Sequence, residues 1–199
     1  MKLTFKRSLC LLVITALFLS LIGCASTSTS KPDSAVSGFF DALKKEDVNS
    51  AAKFVKTDSK NEISYKNADE EKIAKAVFSK LDYKIESSVV KGDTATVNAK
   101  VTTVDLVKIT GNMISDLLPT LMAKALSGED QNEAETEKLI NQYFTNSIND
   151  PSAMKTTTDV TINLVKSEDK KSWLIDPNDD LLNAMTGNLQ NAFKTMNSN

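Results

Sequence analysis

Residues 83–102, YKIESSVVKGDTATVNAKVT, decide how the chain is built. Apolar and polar residues alternate on both sides of Lys91-Gly92-Asp93, with Tyr83, Ile85, Ser87 and Val89 before it and Ala95, Val97, Ala99 and Val101 after it. A period of two, broken by a Gly-containing turn, predicts a β-hairpin with one buried face. Thr94, Thr96, Asn98, Lys100 and Thr102 then fall on the solvent face. Past Val104 the phase slips to Leu106, which reads as a β-bulge.

Upstream of the hairpin the period is 3.6. Val36, Phe39, Phe40 and Leu43 recur at i, i+3, i+4 and i+7, one apolar helix face opened by Pro32-Asp33-Ser34, where Asp or Ser can cap. After Lys45-Glu46-Asp47 comes a second short face, Val48, Ala51, Ala52 and Val55. A third helix starts after Asn67 or Asp69 with Ile73, Ala76, Val77 and Leu81 inward. Residues 57–67 read as a loop, with a short strand around Ile63 to Tyr65.

Downstream, Gly111 to Gly128 is helical and strongly apolar, with Pro119 expected to kink it or mark a restart. A partner helix, Glu133 to Ile148, carries Leu139, Ile140, Tyr143, Phe144 and Ile148 on one side. Residues 109–149 thus read as a helical hairpin inserted between strands. The sheet resumes with Val160, Ile162 and Leu164, then a charged turn, then Trp173-Leu174-Ile175. Asp176-Pro177-Asn178-Asp179-Asp180 suits a helix start, with Asp176 as N-cap and Pro177 in the first helical position. As a calcium loop it fails, because Leu181 stands where the Gly is required and Gly187 where the last Glu is required. The helix it opens carries Leu181, Leu182, Met185, Leu189 and Phe193. The fold class is therefore α+β: N-terminal helices on a curved antiparallel sheet, a helical hairpin inserted between strands, and a C-terminal helix.

The N-terminus carries an address. Lys2, Lys6 and Arg7 precede an apolar run, Leu9 to Leu19, and Leu21-Ile22-Gly23-Cys24 closes it. That charge, apolar and small-residue order is an export signal, too short for a comfortable membrane span. Leu21 to Cys24 resembles the lipobox of bacterial lipoproteins, which implies cleavage after Gly23 and a diacylglycerol on Cys24. An ordinary secretory peptide is the alternative. The chain then divides into a signal peptide (1–23), a small polar tether (24–32) and one domain (33–199). The signal's apolar end also resembles released mating pheromones, as any such run does.

Removing the signal leaves 176 of 199 residues and, with three cations gone, changes the net charge from −2 to about −5. An acidic body disfavours nucleic acid as a partner. The chain has no His, its only Arg is Arg7, and its two cysteines are Cys10 and Cys24. That removes Arg clamps on anions, His bases and His-ligated metals. Neither a metal nor a cofactor is expected, and no disulfide.

Phe39 to Leu43, the acidic break before Val48 to Val55, Gly92 to Val97 and Trp173 to Asp176 occur in an order that resembles the nuclear-transport-factor-two-like superfamily. These are cystatin-like α+β cones, and within them the chain looks like uncharacterised Gram-positive lipoproteins. The resemblance implies a shape, and shape does not carry function. Enzymes of this fold place an Asp/His or Asp/Tyr pair inside the cone. Here His is absent and no acid falls on an inward strand position. Tyr65, Tyr83 and Tyr143 have no sequence-local acid or base, and no nucleophile or phosphate-loop motif is present.

The expected function is a non-catalytic binding or accessory module, lipid-anchored on the outer face of the cell membrane. Leu117, Leu118, Leu121 and Met122 are the candidate apolar surface for a protein or a small apolar ligand, since Leu and Met suit adaptable contacts. Ordinary core packing of that stripe is the competing reading. The alternatives are a cone-type enzyme using Asp/Tyr chemistry and a phage-exclusion or surface-protection lipoprotein.

Overall fold

Strand β1 (Asp82–Lys91) and strand β2 (Thr94–Val104) form the hairpin. In this computed structural model the residues described are 30–56, 65, 67–126 and 133–191. The signal peptide, Cys24, most of the tether, Ile63 and Phe193 lie outside them. Gly92, at φ 63°, alone holds the left-handed conformation in the two-residue turn, as the first position of a II′ turn requires. Strands β3 (Lys155–Lys166) and β4 (Trp173–Asp176) complete an open antiparallel sheet of order β1-β2-β3-β4. Before it come helices α1 (Pro32–Lys44), α2 (Val48–Ala52) and α3 (Ala68–Ser79). Helices α4 (Leu106–Leu126) and α5 (Glu133–Asn149) lie between β2 and β3, and α6 (Asp179–Met185) follows β4. The architecture is α+β, with helices on one face of a sheet that is not closed, consistent with a cone-like fold.

The main core lies between that face and the helices. Ala95, Val97, Ala99 and Val101 of β2 and Val160, Ile162 and Leu164 of β3 are buried with Val36, Phe39, Phe40 and Leu43 of α1 and Leu181, Ala184 and Met185 of α6. Phe39 and Phe40 meet edge to face, and Phe40 stacks on Tyr83 with ring centres 5.0 Å apart. Trp173 is 4% exposed in this cluster, and the Lys166 ammonium stands 5.5 Å from its ring centre. Val55 bridges the free edge of β4 in parallel, with Ile175 N donating to Phe54 O at 2.7 Å and Lys56 N to Ile175 O at 2.8 Å. That pairing occupies one open edge of the sheet.

Several sequence expectations need correction. The buried phase of β1 does not run through Ser87 and Val89. A bulge at Glu86 shifts the register, so Ser88 and Val90 pair with the inward Val97 and Ala95, and Val89 turns to the outer face. The slip after Val104 is the passage from strand into α4. Asp105 accepts from Lys108 N there at 3.0 Å, so the insertion starts at Leu106, and neither at 109 nor at Gly111. The helix then runs continuously through Pro119 to Leu126. No side chain caps α1, which starts on Pro32 in its first turn. Asn178, not Asp176, caps α6, accepting from Leu181 N at 2.9 Å, while Asp176 stays in β4.

Helix α6 also stops earlier than its apolar pattern suggests. Gly187 and Asn188 both take positive φ (60° and 64°), and the buried Asn183 amide exchanges hydrogen bonds with Asn191 across the reversal. A Cβ on Gly187 would lie 2.6 Å from Val104 O, so the turn is pressed against the root of α4. Gly38 is tight for a different reason: a Cβ there would lie 2.4 Å from the Phe54 ring.

Trp173→Ala is expected to lower stability by about 3–5 kcal/mol, the range for a large aromatic removed from a core. Wild-type tryptophan emission should be blue-shifted and poorly quenched; red-shifted, freely quenched emission would contradict the burial. Gly187→Ala combines a left-handed backbone with a backbone clash and should cost more than about 1 kcal/mol by denaturant melt.

Candidate functional site

Among the described residues, helix α4 leaves the most large apolar side chains uncovered, five against Val89 and Val90 on β1. Leu106 and Ile109, near its start, join Val77, Val104 and Ile148 in a second buried cluster, onto which Ile73, Tyr143, Phe144 and Leu189 pack. That cluster ties the root of the hairpin to α3 and to the end of β2. Along α5 only Ile148 is buried, while Leu139, Ile140, Tyr143 and Phe144 are half-buried. Helix α5 lies between α3 and α4, joined to α3 by Asn67 to Glu137 (3.3 Å) and Asn141 to Asp69 (3.4 Å). It is joined to α4 by Tyr143 to Asp116 (2.7 Å) and Lys124 to Glu135 (3.7 Å).

The far side of α4 is open. Ile114 is 52% exposed, Leu118 50%, Met122 55% and Leu126 85%, with Val107 at 36%. At 3.6 residues per turn these five and Gly111 fall within an arc of about 120°, nearly opposite Leu106 and Ile109. A Cβ on Gly111 would meet nothing within 4 Å, unlike one on Gly38 or Gly187. The four residues named from sequence therefore divide: Leu118 and Met122 are on the open stripe, while Leu117 and Leu121 are half-buried. Val107, Ile114 and Leu126 were missed, although their spacing of four to Leu118 and Met122, or seven from Val107 to Ile114, carried the signal. Of the charges of α4, Asp116 and Lys124 lie off the stripe, while Lys108 stands at its edge, in line with Leu126 five turns on.

The hairpin leaves the sheet at the end opposite the chain's entry. Ser30 N donates to Lys171 O at 3.3 Å beside the β3–β4 turn, and Lys170 Nζ bonds Asp93 Oδ2 at 3.0 Å in the β1–β2 turn. The root of the hairpin is at Val104 and Lys155, which pair at the other end of β2 and β3.

Tyr83 Oη donates to Asp41 Oδ1 at 2.9 Å, so a carboxylate does meet a tyrosine, but Asp41 is exposed on the rim of α1. Burial above all pushes the Tyr83 phenol up, with Asp41 adding to it. For Tyr143 the hydrogen bond to the Asp116 carboxylate is the largest cause of the same upward shift. An open polar depression of about 380 Å³ lies among Glu46, Glu71, Lys72, Lys75, Ser79 and Asn149. There Lys75 bonds Glu71 at 2.6 Å, so these two charges offset each other. Among the described residues no group of three acidic or thiol side chains is placed to hold a metal, and no helix is long and apolar enough to cross a membrane.

No family model matches the chain, and neither a curated protein nor a solved structure is significantly similar to it.

Two outcomes follow from this geometry. Asp116→Asn should lower the Tyr143 transition toward the ordinary phenol value of about 10 in an ultraviolet pH titration. The raised phenols favour the folded state fully below that value, and this contribution is lost as pH rises through it and past the folded transitions. The main cluster holds no residue from 106–149. Replacing residues 110–147 by a short Gly-Ser link, which keeps Leu106, Ile109 and Ile148, should therefore leave a cooperative melt. Loss of that transition would make the hairpin part of the scaffold.

Proposed function

We propose that this chain is a lipoprotein held on the outer face of the cell membrane, whose domain is a non-catalytic binding module with α4 as its contact element. The exposed stripe Val107, Ile114, Leu118, Met122 and Leu126 carries the reading, because a solvent-facing helix has no need of it. Position supports it too. With Cys24 lipidated, residues 24–31 reach at most about 29 Å from the bilayer, and the domain is entered at the turn end of the sheet. The hairpin then leaves at the end away from that attachment, toward a partner outside the membrane. Two acyl chains give stable anchoring where one is marginal.

An enzyme reading would rest on Asp41 and the half-buried Tyr83, and Asp41 stands exposed, where a proton transfer gains little from low dielectric. Surface protection against phage would rest on location alone.

Cys24→Ala should release the domain from the membrane or leave the chain unprocessed, and intact-mass analysis of the membrane fraction should find Cys24 acylated and Met1 to Gly23 absent. An unmodified Cys24 there would refute the anchor. Leu118→Lys with Met122→Lys should abolish binding of an apolar fluorescent dye to the purified domain while leaving its melting temperature nearly unchanged. A lowered melting temperature would return the stripe to the core.

A further inference from the structure

We infer that the occupant of the α4 stripe is α4 of a second copy of this chain, packed antiparallel across a two-fold axis near Asp116. The inference rests on the binding-module reading above and names its partner. Val107, Gly111, Ile114, Leu118 and Leu121 follow one another at spacings of four, three, four and three, which is the seam of a helix that packs on another helix. The seam itself, widened by Met122, carries no charge, and Lys108 borders it only at the root, so the seam can meet its own copy without like-charge contact.

Shape and charge select the antiparallel arrangement. With the axis near residue 116, Ile114 of one copy faces Leu118 of the other, and the open space over Gly111 receives Met122. A parallel pair would set Gly111 against Gly111 and Met122 against Met122, gap on gap and bulk on bulk. It would also bring together the acidic tips, where Glu133 and Glu135 open α5. The antiparallel pair places each tip beside the root of its partner, where Lys108 flanks the stripe.

Size sets the strength. A 21-residue helix is about 31 Å long, and a single seam of that length covers less than the about 800 Å² per partner typical of a stable dimer. Free chains therefore pair weakly. Two copies held on one membrane meet at far higher effective concentration, and a two-fold axis normal to the membrane makes the α4 pair antiparallel where α4 lies across that axis. A bilayer fits the stripe poorly, since the hairpin leaves the sheet at the end opposite the tether and its tip is acidic. Leu189, the last apolar side chain described, packs on the cluster at the opposite side of α4.

Cysteine cross-linking of the full chain in its own membrane tests this. Chains with Ile114→Cys and Leu118→Cys, carrying different tags, are co-expressed and oxidised, with exposed Asn112→Cys as the off-seam control. The 114–118 mixed disulfide should form several-fold more than the 112–112 product, because a disulfide requires Cβ atoms within about 4.5 Å. It should vanish when Met122→Lys is added to both chains. Mixed disulfide no more abundant than the control overturns the inference, as does an adduct with the mass of another protein. A 114–114 and 118–118 pattern without the mixed product overturns the antiparallel register. The parent chain, run alongside, separates this failure from that of the anchor: a Cys24-linked dimer there would show a free thiol and refute lipidation whatever the added cysteines do.

Discussion

The fold depends on how closely α1 can approach β2. The inward row of β2 alternates small and medium side chains, Ala95, Val97, Ala99 and Val101, and this shallow surface leaves room for the Phe39 and Phe40 rings. Phe40 then reaches across to stack on Tyr83 of the neighbouring strand, and the Tyr83 hydroxyl returns to Asp41. One helix face thereby fixes two strands and the register between them. The bulge at Glu86 belongs to the same constraint. It keeps Tyr83 and Ile85 inward where α1 covers the sheet and lets β1 change phase beyond that cover. Interiors pack at crystal-like density, so larger residues at Ala95 or Ala99 would force α1 off the sheet.

A consequence is that the molecule has a main core and an annex. Apolar residues of α1, α2, α3, the sheet and α6 converge on one cluster, to which the α4–α5 hairpin contributes nothing. The hairpin is held by a second, smaller cluster at its root and by α3 along α5. Gly187 locks that root to the main body, because its backbone lies against Val104 and Leu106 with no room for a side chain. An element attached at its root and half-buried along its length can present an apolar face outward without loosening the core. Local stability of this kind is typical of contact elements.

The sheet manages its remaining surfaces differently. Its outer face is a polar lattice, in which Asn98 bonds Ser87 and accepts from Thr161, Thr102 meets Thr157, and Lys100 pairs with Asp159. Each of these is a cross-strand pair that reinforces register at modest energy. The edge at β4 is paired with Phe54 to Lys56, while the edge at β1 carries its bulge and two lysines, Lys84 and Lys91. Charges and a bulge discourage strand addition there, which leaves the α4 stripe as the more inviting apolar surface.

Much of this was readable from residue order. Period two around Gly92, period 3.6 in α1 and the two apolar helices of the insertion follow from local physics, because side-chain direction repeats with the backbone whatever lies nearby. So do the outward-facing row of threonines on β2 and the Asn67 cap of α3, which accepts from Glu70 N at 2.8 Å. The phase of β1 past Glu86 was not readable, because a bulge is chosen by what covers the strand. Nor was the end of α6, which the reversal through Gly187 and Asn188 decides by packing on the root of α4. At the candidate site, the sequence by itself showed that α4 has more Leu, Ile and Met than one helix face needs, and chose Leu117, Leu118, Leu121 and Met122. Only the tertiary structure divided them. Each of these residues is apolar enough to be core, and which side is buried depends on where α5 lies, a contact between residues some twenty-five positions apart that no local pattern records.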